Sequence, residues 1–189
     1  MNIEIEIKVK IDNFEEIKKQ VSFMGKLIKE TRQIDDYYVP THKNFFEIKP
    51  TTEFLRIRTS KGKTVFEYTR CINMHDNGEY DYAEEYETEI KEVDEFKKTL
   101  ELLEFKKIVT IDKQREYWDC GDVEIALDKI EGLGSFIEAE AKGDFENTEQ
   151  ARQACLRFLE ELGIKNAKDV EIKKGYPVLI LEKMSQAKI

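Results

Sequence analysis

The stretch Ile3-Glu4-Ile5-Glu6-Ile7-Lys8-Val9-Lys10 alternates apolar and charged residues without a break. Period two places the isoleucines and the valine on one face of a strand, and Glu4, Glu6, Lys8 and Lys10 on the other. The apolar face belongs on a core. The charged face is the unusual one, because like charges two residues apart repel unless a neighbouring basic strand or a cation relieves them.

Outward from this strand the pattern recurs. Arg56 and Arg58 alternate with Leu55 and Ile57, and Glu85, Glu87 and Glu89 share a face. Lys113 and Arg115 follow, then Asp128, then Glu138, Glu140 and Lys142. Two arrangements satisfy such rows. They can be the solvated outer faces of a sheet backed by helices. Alternatively, rows of bases and acids can face one another across a closed sheet, which relieves the repulsion and makes a wet, charge-lined interior.

The segments between these rows complete the outline. Asn13, with Glu16 three residues on, predicts a capped helix carrying Phe14, Ile17, Val21, Met24 and Ile28 on one stripe. Strands are expected near 33–39, 53–60 and 64–70, with Ser60-Lys61-Gly62-Lys63 as a tight hairpin turn. Asn73–Tyr80 reads as a loop, 84–90 as a strand, and Val93, Phe96, Leu100 and Leu103 as a helical stripe. Three more strands follow at 108–117, 123–130 and 135–141. Asn147 and Gln150 then open a long helix stopped by Gly163, and Pro177 opens a short one through Leu181. The class expected is α+β, mainly β. About eight antiparallel strands is a number at which closure into a barrel becomes feasible, with helices packed outside.

Composition narrows the partners. The chain has 189 residues, enough for one domain over 1–189. Its 40 acids against 31 bases give a net charge of -9, which disfavours nucleic acid as a general ligand. With 40% hydrophobic and 11% aromatic residues it has the mass for a core. The longest apolar run, Val178 to Leu181, is far too short for a bilayer, so no membrane partner is expected. Charges at Glu4, Glu6 and Lys8 stand where an export leader needs an apolar stretch, so a cytoplasmic location is expected. Cys71, Cys120 and Cys155 lack a Cys-x-x-Cys pair and read as reduced thiols, and His42 and His75 alone do not make a zinc site.

A lumen lined in this way suits one ligand class. Converging Arg and Lys bind an extended polyanion, with Arg able to bind bidentately. Paired carboxylates hold Mg²⁺ or Mn²⁺, hard cations that also bridge to phosphate. No Gly-x-x-x-x-Gly-Lys-Ser/Thr loop is present, so phosphate must be held by side chains.

At these residues the chain resembles the CYTH domain of the triphosphate tunnel metalloenzyme superfamily. Glu4-Ile5-Glu6-Ile7-Lys8 matches the Glu-x-Glu-x-Lys signature of that family. Leu55-Arg56-Ile57-Arg58, Glu85-Tyr86-Glu87, Lys113-Gln114-Arg115, the block from Leu127 to Gly134, and Phe136-Ile137-Glu138 follow in the family's order. The likeness runs over about 3–182 and looks most like the class IV adenylate cyclase branch. It implies a closed eight-stranded antiparallel tunnel that binds triphosphates with Mg²⁺ or Mn²⁺.

The resemblance also implies roles. Glu4, Glu6 and Glu138 would be metal ligands, joined by Glu140 and Glu87, and Asp128 a conserved acid near metal or substrate. Glu4, Glu6, Asp128 and Glu138 would be the catalytic set. Lys8, Arg56, Arg58, Lys113 and Arg115 would grip the triphosphate. Relatives carry a lysine on the fourth strand; here Phe66-Glu67-Tyr68-Thr69-Arg70 stands there, and Arg70 is taken as its substitute. The activity implied is conversion of ATP to cyclic AMP and pyrophosphate. The alternative is hydrolysis of inorganic triphosphate, thiamine triphosphate or a nucleoside triphosphate, and a non-catalytic polyphosphate binder is the third reading. The partner is a small-molecule triphosphate, and a homodimer is left open.

Overall fold

A computed structural model of the chain describes residues 2–73, 80 and 82–187, with side chains from residue 5 onward. The chain folds as two compact units. The first holds Arg32–Asp112 and Lys174–Ile189 with the N-terminal Met1–Ile3, and the second holds Glu4–Thr31 and Lys113–Lys173.

The strands are β1 (Asn2–Glu4), β2 (Glu6–Ile11), β3 (Lys26–Val39), β4 (Glu53–Ser60), β5 (Lys63–Ile72), β6 (Tyr82–Glu89), β7 (Lys106–Asp119), β8 (Val123–Ile130) and β9 (Gly134–Ala141). The helices are α1 (Phe14–Met24), α2 (Val93–Leu102), α3 (Thr148–Glu161), α4 (Ala167–Val170) and α5 (Tyr176–Gln186). β1 and β2 are one N-terminal strand broken at Ile5, which leaves the eight antiparallel strands expected. In the first unit the order is β1-β6-β5-β4-β3-β7, and in the second β3-β7-β8-β9-β2. Neither order returns to its starting strand, so the expectation of a fully closed barrel overstated the sheet.

The chain repeats one topology. β2-α1-β3-β4-β5 is followed by β6-α2-β7-β8-β9, a βαβββ sequence used twice. In both copies the helix leads, through one or a few residues, into a 14-residue strand.

In the second unit the core is what the alternation requires. Ile7, Val9 and Ile11 of β2, Ile125 and Leu127 of β8, and Ile137 and Ala139 of β9 are buried with Phe14 and Val21 of α1 and Cys155, Leu156 and Leu159 of α3. The charged residues between them therefore lie on the opposite face of their strands. In the first unit Leu55 and Ile57 are buried, and Phe66 packs edge-on against Phe96 of α2 at 4.9 Å.

Local signals behave unequally. Asn147 caps α3, its Oδ1 accepting from the Gln150 backbone N–H at 2.9 Å. Asn13 precedes α1 but makes no side-chain cap. α1 stops at Met24, so Met24 and Ile28 are exposed and Ile28 belongs to β3, which begins seven residues before the expected start. Lys61 and Gly62 form the hairpin turn with φ of 48° and 77°. The loop expected at Asn73–Tyr80 lies largely outside the described residues. α5 runs to Gln186, well past Leu181.

Candidate functional site

Cross-strand register assembles a cluster of charged side chains in each unit. In the second unit Lys8 of β2 is paired with Glu138 of β9, and Arg115 of β7 with Asp128 of β8. The Lys8 ammonium lies 3.3 Å from Glu6 and 3.2 Å from Glu138. Arg115 donates from Nε to Asp128 Oδ1 at 2.7 Å, and from Nη2 both to Asp128 Oδ2 at 2.5 Å and to Glu138. Lys8, Lys113, Arg115, Asp128 and Glu138 are all buried. Burial opposes the charge on Lys8, but Glu6 and Glu138 outweigh it and raise its pKa, so the ammonium stays charged. The guanidinium of Arg115 is likewise opposed by burial and held charged by Asp128 and Glu138.

Glu6 stands opposite Glu140 in the β2–β9 ladder, and Glu124 stands opposite Glu140 from β8. Burial pushes the Glu140 carboxyl up, against a hydrogen bond from Lys142, and Glu6 and Glu124 push it further.

In the first unit Arg56 and Arg58 leave β4 on the face shared with Asp35 and Tyr37 of β3, their register partners being Tyr37 and Asp35. Arg58 donates to both Asp35 oxygens, Nε at 2.8 Å and Nη2 at 3.0 Å. Arg56 Nη2 donates to Glu67 Oε2 at 2.6 Å and Nη1 to the Tyr37 hydroxyl at 3.3 Å. Glu67, 1% exposed, is flanked in register by Arg56 on one side and Glu87 on the other. One carboxylate oxygen from each of Glu67, Glu85 and Glu87 lies within 4.8 Å of the others. Burial raises the Glu87 carboxyl, and the hydrogen bond and charge of Glu67 raise it further. Burial also opposes the Glu67 charge, but Arg56 and Arg58 overcome that and lower its pKa.

These placements sort the residues expected from sequence. Glu6, Lys8, Asp128, Glu138 and Arg115 come together, with Lys113 buried on the same strand as Arg115. Arg56 and Arg58 come together with acids that the sequence reading passed over, Asp35 and Glu67. Glu87 joins Glu67 and Glu85, and that is the one group of three carboxylates that closes among the described residues. Glu6, Glu138 and Glu140 do not close into such a group; Lys8 and Arg115 already hold Glu6 and Glu138. The Glu4 side chain lies outside the described residues.

Arg70 is set apart. Strand parity puts it on the face of β5 opposite Glu67 and Thr69, its register partners are Glu53 and Glu84, and its side chain is 56% exposed with Glu84 at 3.9 Å. It does not accompany Arg56 and Arg58, so it is no substitute for a lysine in that cluster. The missed Glu67 had a signal. A turn at Lys61-Gly62 pairs Ser60 with Lys63, and counting back from there places Glu67 opposite Arg56.

Residues 2–172 match the CYTH domain family. The chain belongs to that family. This CYTH chain is 32% identical over 178 residues to "Putative adenylate cyclase MJ0240" of Methanocaldococcus jannaschii, covering 92% of this chain and 96% of that one. Among solved structures, the PH1819 protein of Pyrococcus horikoshii is similar with a TM-score of 0.80 and 28% identity, covering 95% of this chain and 99% of that one. A structure described as "a putative adenylate cyclase" from Vibrio parahaemolyticus aligns with a TM-score of 0.73 at 18% identity, over 94% of this chain and 98% of that one, and bears on the fold alone. No helix among the described residues of this CYTH chain is long and apolar enough to cross a membrane.

Proposed function

We propose that this CYTH protein is a divalent-metal-dependent enzyme acting on triphosphates, and that its reaction is conversion of ATP to cyclic AMP and pyrophosphate. The observation that carries the reading is the buried cluster of Lys8, Arg115, Asp128 and Glu138. Burying ions costs several kcal/mol each even when they are paired, and apolar residues of similar volume would often be as stable. A fold gains nothing from such a cluster that a plain core would not give. An extended polyanion gains a great deal.

In this reading Lys8, Lys113 and Arg115 of the second unit and Arg56 and Arg58 of the first are phosphate ligands. Arginine forks suit phosphate oxygens, and a buried guanidinium pays little reorganisation when the anion arrives because its partner carboxylates already fix its plane. Glu67, Glu85 and Glu87 fit a hard cation: all three donors are carboxylate oxygens, and burial and the neighbouring Glu67 carboxylate push Glu87 toward its protonated form, a strain a cation would relieve. They would hold Mg²⁺ or Mn²⁺, as would Glu4, Glu6, Glu138 and Glu140 where the family signature places ligands. The cation supplies neutralising charge at phosphoryl oxygens. Asp128, fully buried, keeps Arg115 oriented.

The adenylate cyclase name of the 32% identical relative supports cyclisation over hydrolysis. The test is a parallel product assay with ATP, inorganic triphosphate and thiamine triphosphate, with Mg²⁺ or Mn²⁺ and with chelator. Cyclic AMP and pyrophosphate formed only with metal is the expected result. Orthophosphate as the product makes the protein a triphosphatase instead, and no turnover of any of the three overturns the enzymatic reading.

A further inference from the structure

Asp35 of β3 lies directly opposite Arg58 of β4 and is 1% exposed. It takes the Nε–Nη2 edge of the guanidinium, with bonds of 2.8 and 3.0 Å. Nη1 of Arg58 takes part in neither bond. The same carboxylate is 3.9 Å from Arg56 Nη1. Arg56 and Arg58 are like charges side by side, and after burial it is Arg56 that most opposes the charge on Arg58, while Asp35 and Glu67 restore it. Without Asp35 the two forks would repel and Arg58 would lose the bonds that fix its plane.

The βαβββ repeat provides an independent observation. In the second copy the strands corresponding to β3 and β4 are β7 and β8, and Arg115 on β7 faces Asp128 on β8. That pair is also bidentate, through the same Nε–Nη2 edge, with acid and base exchanged between the strands. Two residues back along β4 and β8, Arg56 is paired with Glu67 of β5 and Ala126 with Glu138 of β9. The position is thus built twice to hold one guanidinium edge-on against a buried aspartate.

We propose that Asp35 is a positioning residue for triphosphate binding: it holds Arg58 by one edge so that Nη1 is presented to a phosphate oxygen, and it keeps Arg56 and Arg58 together. The inference rests on the reading of Arg58 as a phosphate ligand.

Inorganic triphosphate titrated calorimetrically into the full chain and its Asp35→Asn, Arg58→Ala and doubly substituted forms tests this. Asp35→Asn weakens binding at least about ten-fold, as the loss of charge-assisted bonds implies. In the Arg58→Ala background the same change matters by less than about two-fold, because the residue it serves is gone. Equal losses in both backgrounds, or full affinity in Asp35→Asn, overturn the role. Asp35→Glu keeps the charge but displaces the carboxylate by one methylene; it is expected to bind less tightly than the parent only while Arg58 is present. That pair of measurements carries the test should Asp35→Asn not fold, and unchanged affinity in Asp35→Glu then overturns it. Failure of the parent chain to bind triphosphate would sink the reading of the whole site, whereas binding without coupling sinks only the part given to Asp35.

Discussion

Arg115 and Asp128 face each other across neighbouring strands and share two hydrogen bonds while both are almost wholly removed from water. Each is the other's compensation. Arg115→Ala takes from the buried Asp128 both of these hydrogen bonds and leaves Glu138 with Lys8, and the cost expected is about 3–5 kcal/mol. Urea unfolding measures it. A double change of Arg115→Met with Asp128→Leu removes both charges and recovers much of that loss, while abolishing triphosphate binding.

Arg56 and Arg70 make opposite predictions although both are arginines of adjoining strands. Arg56→Ala weakens binding of inorganic triphosphate by about 1.5–3 kcal/mol, the range for hydrogen bonds to charged groups. Arg70→Ala leaves that affinity unchanged, because its side chain leaves the other face of β5 toward Glu84. Calorimetric titration of the two variants in one buffer separates them.

The raised Glu87 carboxyl has a pH signature. Its folded value lies above the ordinary 4.5, so the folded chain keeps a proton that the unfolded chain has already lost. Stability therefore falls as pH rises from 4.5 through the folded value and levels off beyond it. Glu87→Gln removes this loss, and urea midpoints of parent and variant should diverge across that window, with the variant the more stable at higher pH. Mg²⁺ added at neutral pH should narrow the gap by stabilising the parent.

At α3 the effect is purely structural. Asn147→Ala deletes the bond to the Gln150 N–H and should cost about 1 kcal/mol, read from the denaturation midpoint, with product formation unaffected.

Much of this was legible in the residues because period two is unforgiving. Once Ile7 and Val9 are assigned to the core, Glu6 and Lys8 must lie on the opposite face, and the same reasoning placed Arg56 with Arg58 and Lys113 with Arg115. What alternation cannot supply is which strands become neighbours. Asp35 sits beside Asp36 in the sequence, and only the β3–β4 register tells that one meets Arg58 while the other, on the reverse face, accepts from Lys97 and Thr110. Arg70 was misplaced for the same reason, since its parity on β5 is fixed by the turn at Lys61-Gly62. Ile28 kept helical spacing beyond the helix that ends at Met24, because Gly25 turns the chain into an extended conformation before the stripe is complete.

The exchange of acid and base between Asp35–Arg58 and Arg115–Asp128 leaves little freedom for drift. Either orientation of the bond is sound, yet the path from one to the other passes through two acids or two bases shut away together. Reversal of charge at one member of a couple is therefore expected to be far more costly than reversal at both, so a library randomised at 35 and 58 together, or at 115 and 128 together, should recover the exchanged form, while one randomised at a single member should not return the opposite charge.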